Sequence, residues 1–258
     1  MRPLPRLLLL TTVLLGTACF QTFNVQRFSS SGALFQAGLA RFENEKWLDA
    51  IEAFEKLTFD LPARDTLLAL AHWYLGLARR ENEERVLAAQ SFLRLAEQFP
   101  EDSLADDALY FSAKSYREMW RGPSLDPQYG ILAQAQFRQL DGLFPDSRYA
   151  DSTRRALTEL DEWFAKKDFD TGMHYVRRRA YDSAIIYLRD VVANYSNTDV
   201  ARRAMLELVK IYRLPAMNYK ADADEVCETL RAGFPTDGDV LETCKLPVPA
   251  STPTPSGR

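Results

Sequence analysis

The stretch AAQSFLRLAEQFP, residues 88–100, carries a spacing that returns along the chain. Read from its small first residue by four, seven, eleven and twelve, it gives Ala88, Phe92, Leu95, Phe99 and Pro100. The same reading gives Ala50, Phe54, Leu57, Leu61, Pro62, and then Ala133, Phe137, Leu140, Phe144, Pro145. Two further units follow: Ala184, Leu188, Val191, Tyr195, Ser196, and Ala223, Cys227, Leu230, Phe234, Pro235. Offsets of four, seven and eleven fall on one helical stripe. A proline just beyond the stripe stops the helix, because it has no N–H and clashes with the preceding turn. Only the fourth unit lacks it.

Upstream of each of the first four units lies a second helical pattern built on a small residue, mostly with an aromatic nearby. These are Gly38 with Phe42, Gly76, Ala113 with Tyr116, and Gly172 with Tyr175. A small residue lets two helices approach closely. Trp47 and Tyr181 stand three residues before their origin alanines, where they close the turn between paired helices. The origins are 38, 45, 51 and 39 residues apart, longer than the 34 of a standard tetratricopeptide repeat. The surplus sits in the segment 120–127, which breaks the third pair with a loop. It also sits in 147–178, which has no Pro and one Gly and reads as one long helix or two joined by a kink. The expectation is an all-α, tetratricopeptide-like superhelix of about five helix pairs, its first helices lining the inner surface.

The ends read differently. Arg2 and Arg6 precede the apolar run Leu7 to Leu15, and Gly16, Thr17, Ala18 and Cys19 follow. This is the order of an export signal, and the run is too short for a membrane span. Cys19 after small residues points to lipidation; Gly16 and Ala18 would also suit ordinary secretory cleavage. The expected divisions are a signal peptide at 1–18, a tether at 19–33, five repeats at 34–236 and a C-terminal extension at 237–258. The last is rich in Pro, Ser and Thr and is expected to be disordered from about 247.

Composition narrows the function. The 258 residues carry a net charge of −4, which gives no general drive toward nucleic acid. The basic clusters Arg177-Arg178-Arg179 and Arg202-Arg203 are interleaved with acids. The only two histidines, His72 and His174, have no metal-spaced partners, and no phosphate loop or Gly-x-Ser-x-Gly occurs. The reading is a binding scaffold, not an enzyme, with no metal and no cofactor. Cys227 and Cys244 pair if the compartment is oxidising; a buried free thiol at the stripe position of the fifth unit fits Cys227 equally well.

The mature chain resembles the BamD family, lipoproteins of the outer-membrane β-barrel assembly machine. The resemblance rests on the export signal ending in Cys19, the five stretched pairs, and the endings Phe99-Pro100-Glu101 and Phe144-Pro145-Asp146. It rests also on Asp126-Pro127-Gln128 in the third loop and on His174-Tyr175-Val176-Arg177-Arg178 before the fourth unit. Departures are Gly16 where lipoboxes carry Leu, Tyr187 where the family carries Arg, and Arg179 where it carries the turn Gly. The resemblance implies a scaffold lipid-anchored through Cys19 on the periplasmic face of the outer membrane. Such a scaffold docks the periplasmic domains of the barrel insertase and receives unfolded outer-membrane proteins. A periplasmic tetratricopeptide adaptor of cell-envelope division or peptidoglycan machinery is the alternative.

Two residue sets follow. Arg177, Arg178, Tyr187 and Arg189 are the expected partner-binding residues of the fourth and fifth pairs, since Tyr and Arg predominate at interface hot spots. In this repeat the inner face of a first helix lies three residues before, one after and four after its small residue. From Gly38 this selects Phe35, Leu39 and Phe42; from Gly76, Trp73, Leu77 and Arg80; from Ala113, Tyr110, Lys114 and Arg117. Phe35, Phe42, Trp73, Arg80, Tyr110, Lys114 and Arg117 are the expected substrate groove, with cations to meet a peptide carboxylate. Packing between neighbouring helices is the competing role, above all for Leu39 and Leu77.

Overall fold

The computed structural model describes residues 23–245, which form eleven α-helices and one 3-10 turn, with no strand among them. Ten helices make five pairs: α1 (Ser31–Glu43) with α2 (Trp47–Asp60), α3 (Thr66–Glu81) with α4 (Arg85–Gln98), and α5 (Ala105–Met119) with α6 (Gln128–Leu143). Then come α7 (Ala150–Arg177) with α8 (Tyr181–Asn194), and α9 (Asp199–Tyr212) with α10 (Lys220–Gly233). The short α11 (Gly238–Thr243) packs on α9 and α10. Each second helix touches its own first helix, and those of the first four pairs also touch the first helix of the next pair. The fold is an all-α, tetratricopeptide-like superhelix, as the repeat spacing predicts.

The small residues set the distance within pairs. A methyl group built on Gly38 would lie 3.0 Å from Phe54 Cε1; on Gly76, 2.6 Å from Phe92 Cε1; on Gly172, 3.0 Å from Leu188 Cγ. In each case the partner is the residue four beyond the origin alanine, and all three partners are fully buried. Burying a Phe or Leu in this way stabilises the fold by about 1.5–3 kcal/mol.

Turns and ends repeat as well. Glu45, Glu83, Arg179 and Asn218 each stand two residues before a second helix, and each has positive φ, between 51° and 62°. Phe99, Phe144 and Phe234 end their helices at φ −131° to −134°, each before a proline that cannot continue the helix. Tyr195, which precedes Ser196, takes the same φ, −132°. There Thr198 ties the turn to the next helix. Its hydroxyl donates to the Tyr195 carbonyl (2.7 Å) and accepts from the Ala201 N–H to cap α9.

One boundary differs from expectation. The tether begins to fold before residue 34: Val25 is buried in a 3-10 turn (Val25–Arg27), Phe23 and Phe28 pack on the first pair, and Ser30 caps α1. The stretch 147–178 holds one unbroken 28-residue helix. The C-terminal extension starts ordered, because Val240 and Cys244 are buried against α9 and α10. Cys227 and Cys244 are joined by a disulfide, their Cα atoms 5.4 Å apart. The export signal, Cys19 and the tail from 246 lie outside the described residues.

The third loop is not free either. Trp120, at its start, is buried between Trp163 and Phe164 of α7, with ring centroids 5.3 and 4.6 Å away. Its ring covers Gly130, where a methyl group would overlap the indole.

Candidate functional site

The side chains of the expected groove pack largely against one another and their neighbours. Phe35 is 5% exposed and packs edge-on to Phe54 and Tyr74, so it belongs to the core and presents nothing to a ligand. The reason is that Phe54 of its own pair and Tyr74 of the next close over its ring. Phe42 packs half-buried between Trp47 and Tyr74. Trp73 lies against Phe92 and Phe111, with centroids 5.2 and 5.5 Å away. Leu39 and Leu77 are half-buried, each packed against its core.

Tyr110 stacks flat on Tyr149, centroids 4.0 Å apart and planes 8° apart. Tyr149 is held from behind. Its hydroxyl donates to the buried carboxylate of Asp107 (2.5 Å), which also accepts from Arg148. Burial and then that hydrogen bond push the Tyr149 phenol up to about 12. The motif Phe144-Pro145-Asp146-Ser147-Arg148-Tyr149 thus ties the start of α7 to α5.

The groove cations are partnered. Arg80 lies over Phe111 and pairs with Glu118 at 3.8 Å. Arg117 lies 4.2 Å over Trp163 and pairs with Glu159. Lys114 is half-exposed and has no ion pair among the described residues. A carboxylate reaching this face must compete with Glu118 and Glu159 everywhere except at Lys114.

The four expected partner residues do not form one patch. Arg177 and Arg178 are exposed at the C-terminal end of α7. Tyr187 stacks on Tyr175 of α7, centroids 5.5 Å apart. Arg189, two residues further along α8, points to the other side and lines a cleft with Tyr212 and Val226. Two residues turn a helix by about 200°, so neighbours at that spacing face apart.

Histidines supply no chemistry. His72 is buried in α3, and burial first, Arg94 second, push its imidazole down to about 4. His174 is exposed, edge-on to Tyr175. Among the described residues no group of His, Cys, Asp and Glu could hold a metal, and no helix is long and apolar enough to cross a membrane.

The sequence reading missed a recess on the inner face. It is a cleft of about 660 Å³ between α7, α9 and α11. Phe169 and Met173, three before and one after Gly172, line it, as do Leu206, Lys210 and Arg213. These last three hold the same offsets from Val209, which is wholly buried in one cluster with Cys227. The offset rule finds the cleft once Val209 takes the place of the small residue.

An outer membrane protein assembly factor BamD of Vibrio cholerae is 30% identical over 88 residues, 34% of this chain and 36% of that protein. The BamD of Caulobacter vibrioides is 23% identical over 218 residues, 83% of this chain and 69% of that protein. The chain therefore spans about a third of the first relative's length and about two thirds of the second's. A thermophilic TPR protein of Thermus thermophilus aligns at 14% identity over 83% of this chain and 97% of that one, with a TM-score of 0.36. A family model, YfiO, described as an outer membrane lipoprotein, matches residues 29–229, and the chain belongs to that family.

Proposed function

We propose that the chain is an outer-membrane lipoprotein scaffold of the β-barrel assembly machinery. On this reading it docks the periplasmic domain of the insertase and receives unfolded barrel proteins. The family match over 29–229 carries the proposal. The relatives named as assembly factors and a chain built of paired helices with extended binding faces support it. No catalytic role is assigned. Cys19, after Ala18, is the lipid-bearing residue, and a diacylated, N-acylated cysteine would anchor the chain stably. Cys19→Ala should release the protein to the soluble periplasm.

Insertase docking is assigned to the exposed end of α7, at Arg177 and Arg178, with Tyr187 beside it; Arg189 serves a separate contact. Substrate contact is assigned to the inner face around Trp73, Arg80, Tyr110, Lys114 and Arg117, with Phe42 at its edge. A photoreactive residue at Lys114, the groove cation without a partner, should capture unfolded barrel protein in cells. Reversing charge at Arg177 and Arg178 together should weaken recovery of the insertase. Unchanged recovery would move the docking surface elsewhere.

A further inference from the structure

The cleft between α7, α9 and α11 has a chemistry that the rest of the inner face lacks. Along α9 and its C-cap the cleft is lined by Glu207 and Val209 and by the series Arg203, Leu206, Lys210 and Arg213. Spacings of three, four and three put that series on one helical stripe. The floor is apolar: Phe169, Leu206 and Val209 are buried, and Met173 is half-buried beside them. The opposite wall is α11, with Asp239, Glu242 and Thr243.

The cations differ in how they are satisfied. Lys210 pairs with Glu207 at 2.7 Å. Arg203 is exposed and lies 4.7 Å over the Phe169 ring. Arg213 donates to the Thr243 carbonyl and reaches Cys227 Sγ at 3.7 Å. Neither arginine has an acidic partner among the described residues, whereas Arg80 and Arg117 of the earlier pairs do. Guanidinium groups beside an apolar floor recognise carboxylates, bidentately where geometry allows.

We infer that this cleft seats an extended acidic segment of a partner protein, with an apolar side chain on Phe169, Met173 and Leu206 and carboxylates at Arg203 and Arg213. The volume lies in the range that admits several groups at once. Asp239 and Glu242 on the facing wall select against a polyanion such as a nucleic acid, which would carry phosphates to both walls. A peptide places its carboxylates on one side only. The inference stands on the cleft alone and does not depend on the assembly role.

A fluorescein-labelled peptide of about seven residues, alternating Asp and Leu, is the probe, read by fluorescence anisotropy with the full chain. Arg203→Glu should weaken binding about tenfold, the scale of losing one close charge pair. Arg203→Lys should keep most of it, and Arg64→Glu, in the exposed loop after α2, should change nothing. Glu242→Lys, on the exposed wall, should tighten binding several-fold, so the test survives if Arg203→Glu fails to fold. The same peptide with Lys for Asp should not bind. Equal binding of the two peptides, no response to Arg203→Glu and Glu242→Lys, no binding to the unaltered chain, or equal binding of a short RNA would each overturn the inference.

Discussion

Gly76 and Phe92 touch as closely as two helices allow: a methyl group on Gly76 would sit 2.6 Å from Phe92 Cε1, inside any real contact distance. The ring is fully buried and held by Trp73 and Phe111, so it has nowhere to retreat. Gly76→Ala should therefore destabilise the protein by about 1–3 kcal/mol in urea melts, despite the better helix propensity of alanine. Gly142→Ala, with nothing within 4 Å, should be neutral or gain up to about 1 kcal/mol. Equal effects at the two sites would show that the pair spacing is not set by this contact.

Arg179 turns the chain between α7 and α8 at φ 59°, a conformation that favours glycine. Arg179→Gly should stabilise by roughly 0.5–1 kcal/mol, the relief of left-handed strain less the added freedom of the unfolded chain. Glu45→Gly and Glu83→Gly, at the same turn position, should each do the same. Their sum should be nearly additive, because the turns belong to different pairs. A loss of stability at all three would contradict the turn assignment.

His72 makes the fold acid-sensitive. Its folded pKa, about 4, lies below the ordinary 6.5, because burial and then Arg94 oppose the charged ring. Above pH 6.5 both states hold it neutral. As pH falls from 6.5 to about 4 the unfolded chain takes the proton and the folded one does not, so stability drains away by up to roughly 3 kcal/mol. His72→Asn should flatten this part of the stability–pH curve. An unchanged slope would place the acid sensitivity in other groups.

The Cys227–Cys244 link closes α11 onto α10, where Arg231 also donates to the Cys244 carbonyl. Unreduced protein, alkylated and digested, should give one linked peptide; two alkylated thiols would end the assignment. Replacing both cysteines with serine should cost roughly 3 kcal/mol in the chain-entropy picture. Hydrogen exchange should then rise first across residues 238–245.

The helix pairs were legible because their signals are local. A small residue, a stripe at four, seven and eleven, and a proline all lie within one helix and its end. What stayed hidden depends on residues far apart in sequence. Arg117 meets Glu159 and Tyr149 meets Asp107 across 42 residues, which turns half the expected groove into packing. Phe23, Val25 and Phe28 have no period, so their folding onto the first pair left no pattern to read. The cleft of the last two pairs was missed because Val209, not a small residue, faces Cys227, and the offset rule had no origin there. Phe35 was assigned to the groove by that rule and lies in the core, because Phe54 and Tyr74 pack against its ring, and the spacing within one helix does not show a neighbouring pair's aromatic.

Whether the chain works in barrel assembly is decided by what it holds in its own membrane. Tagged full-length protein, extracted from outer membranes in mild detergent and captured, should bring with it a β-barrel insertase bearing periplasmic domains, identified by mass spectrometry. Recovery should fall sharply when Arg177 and Arg178 are both changed to glutamate. Capture of peptidoglycan-synthesis or division proteins with no barrel insertase, or of the chain alone, would contradict the assembly role.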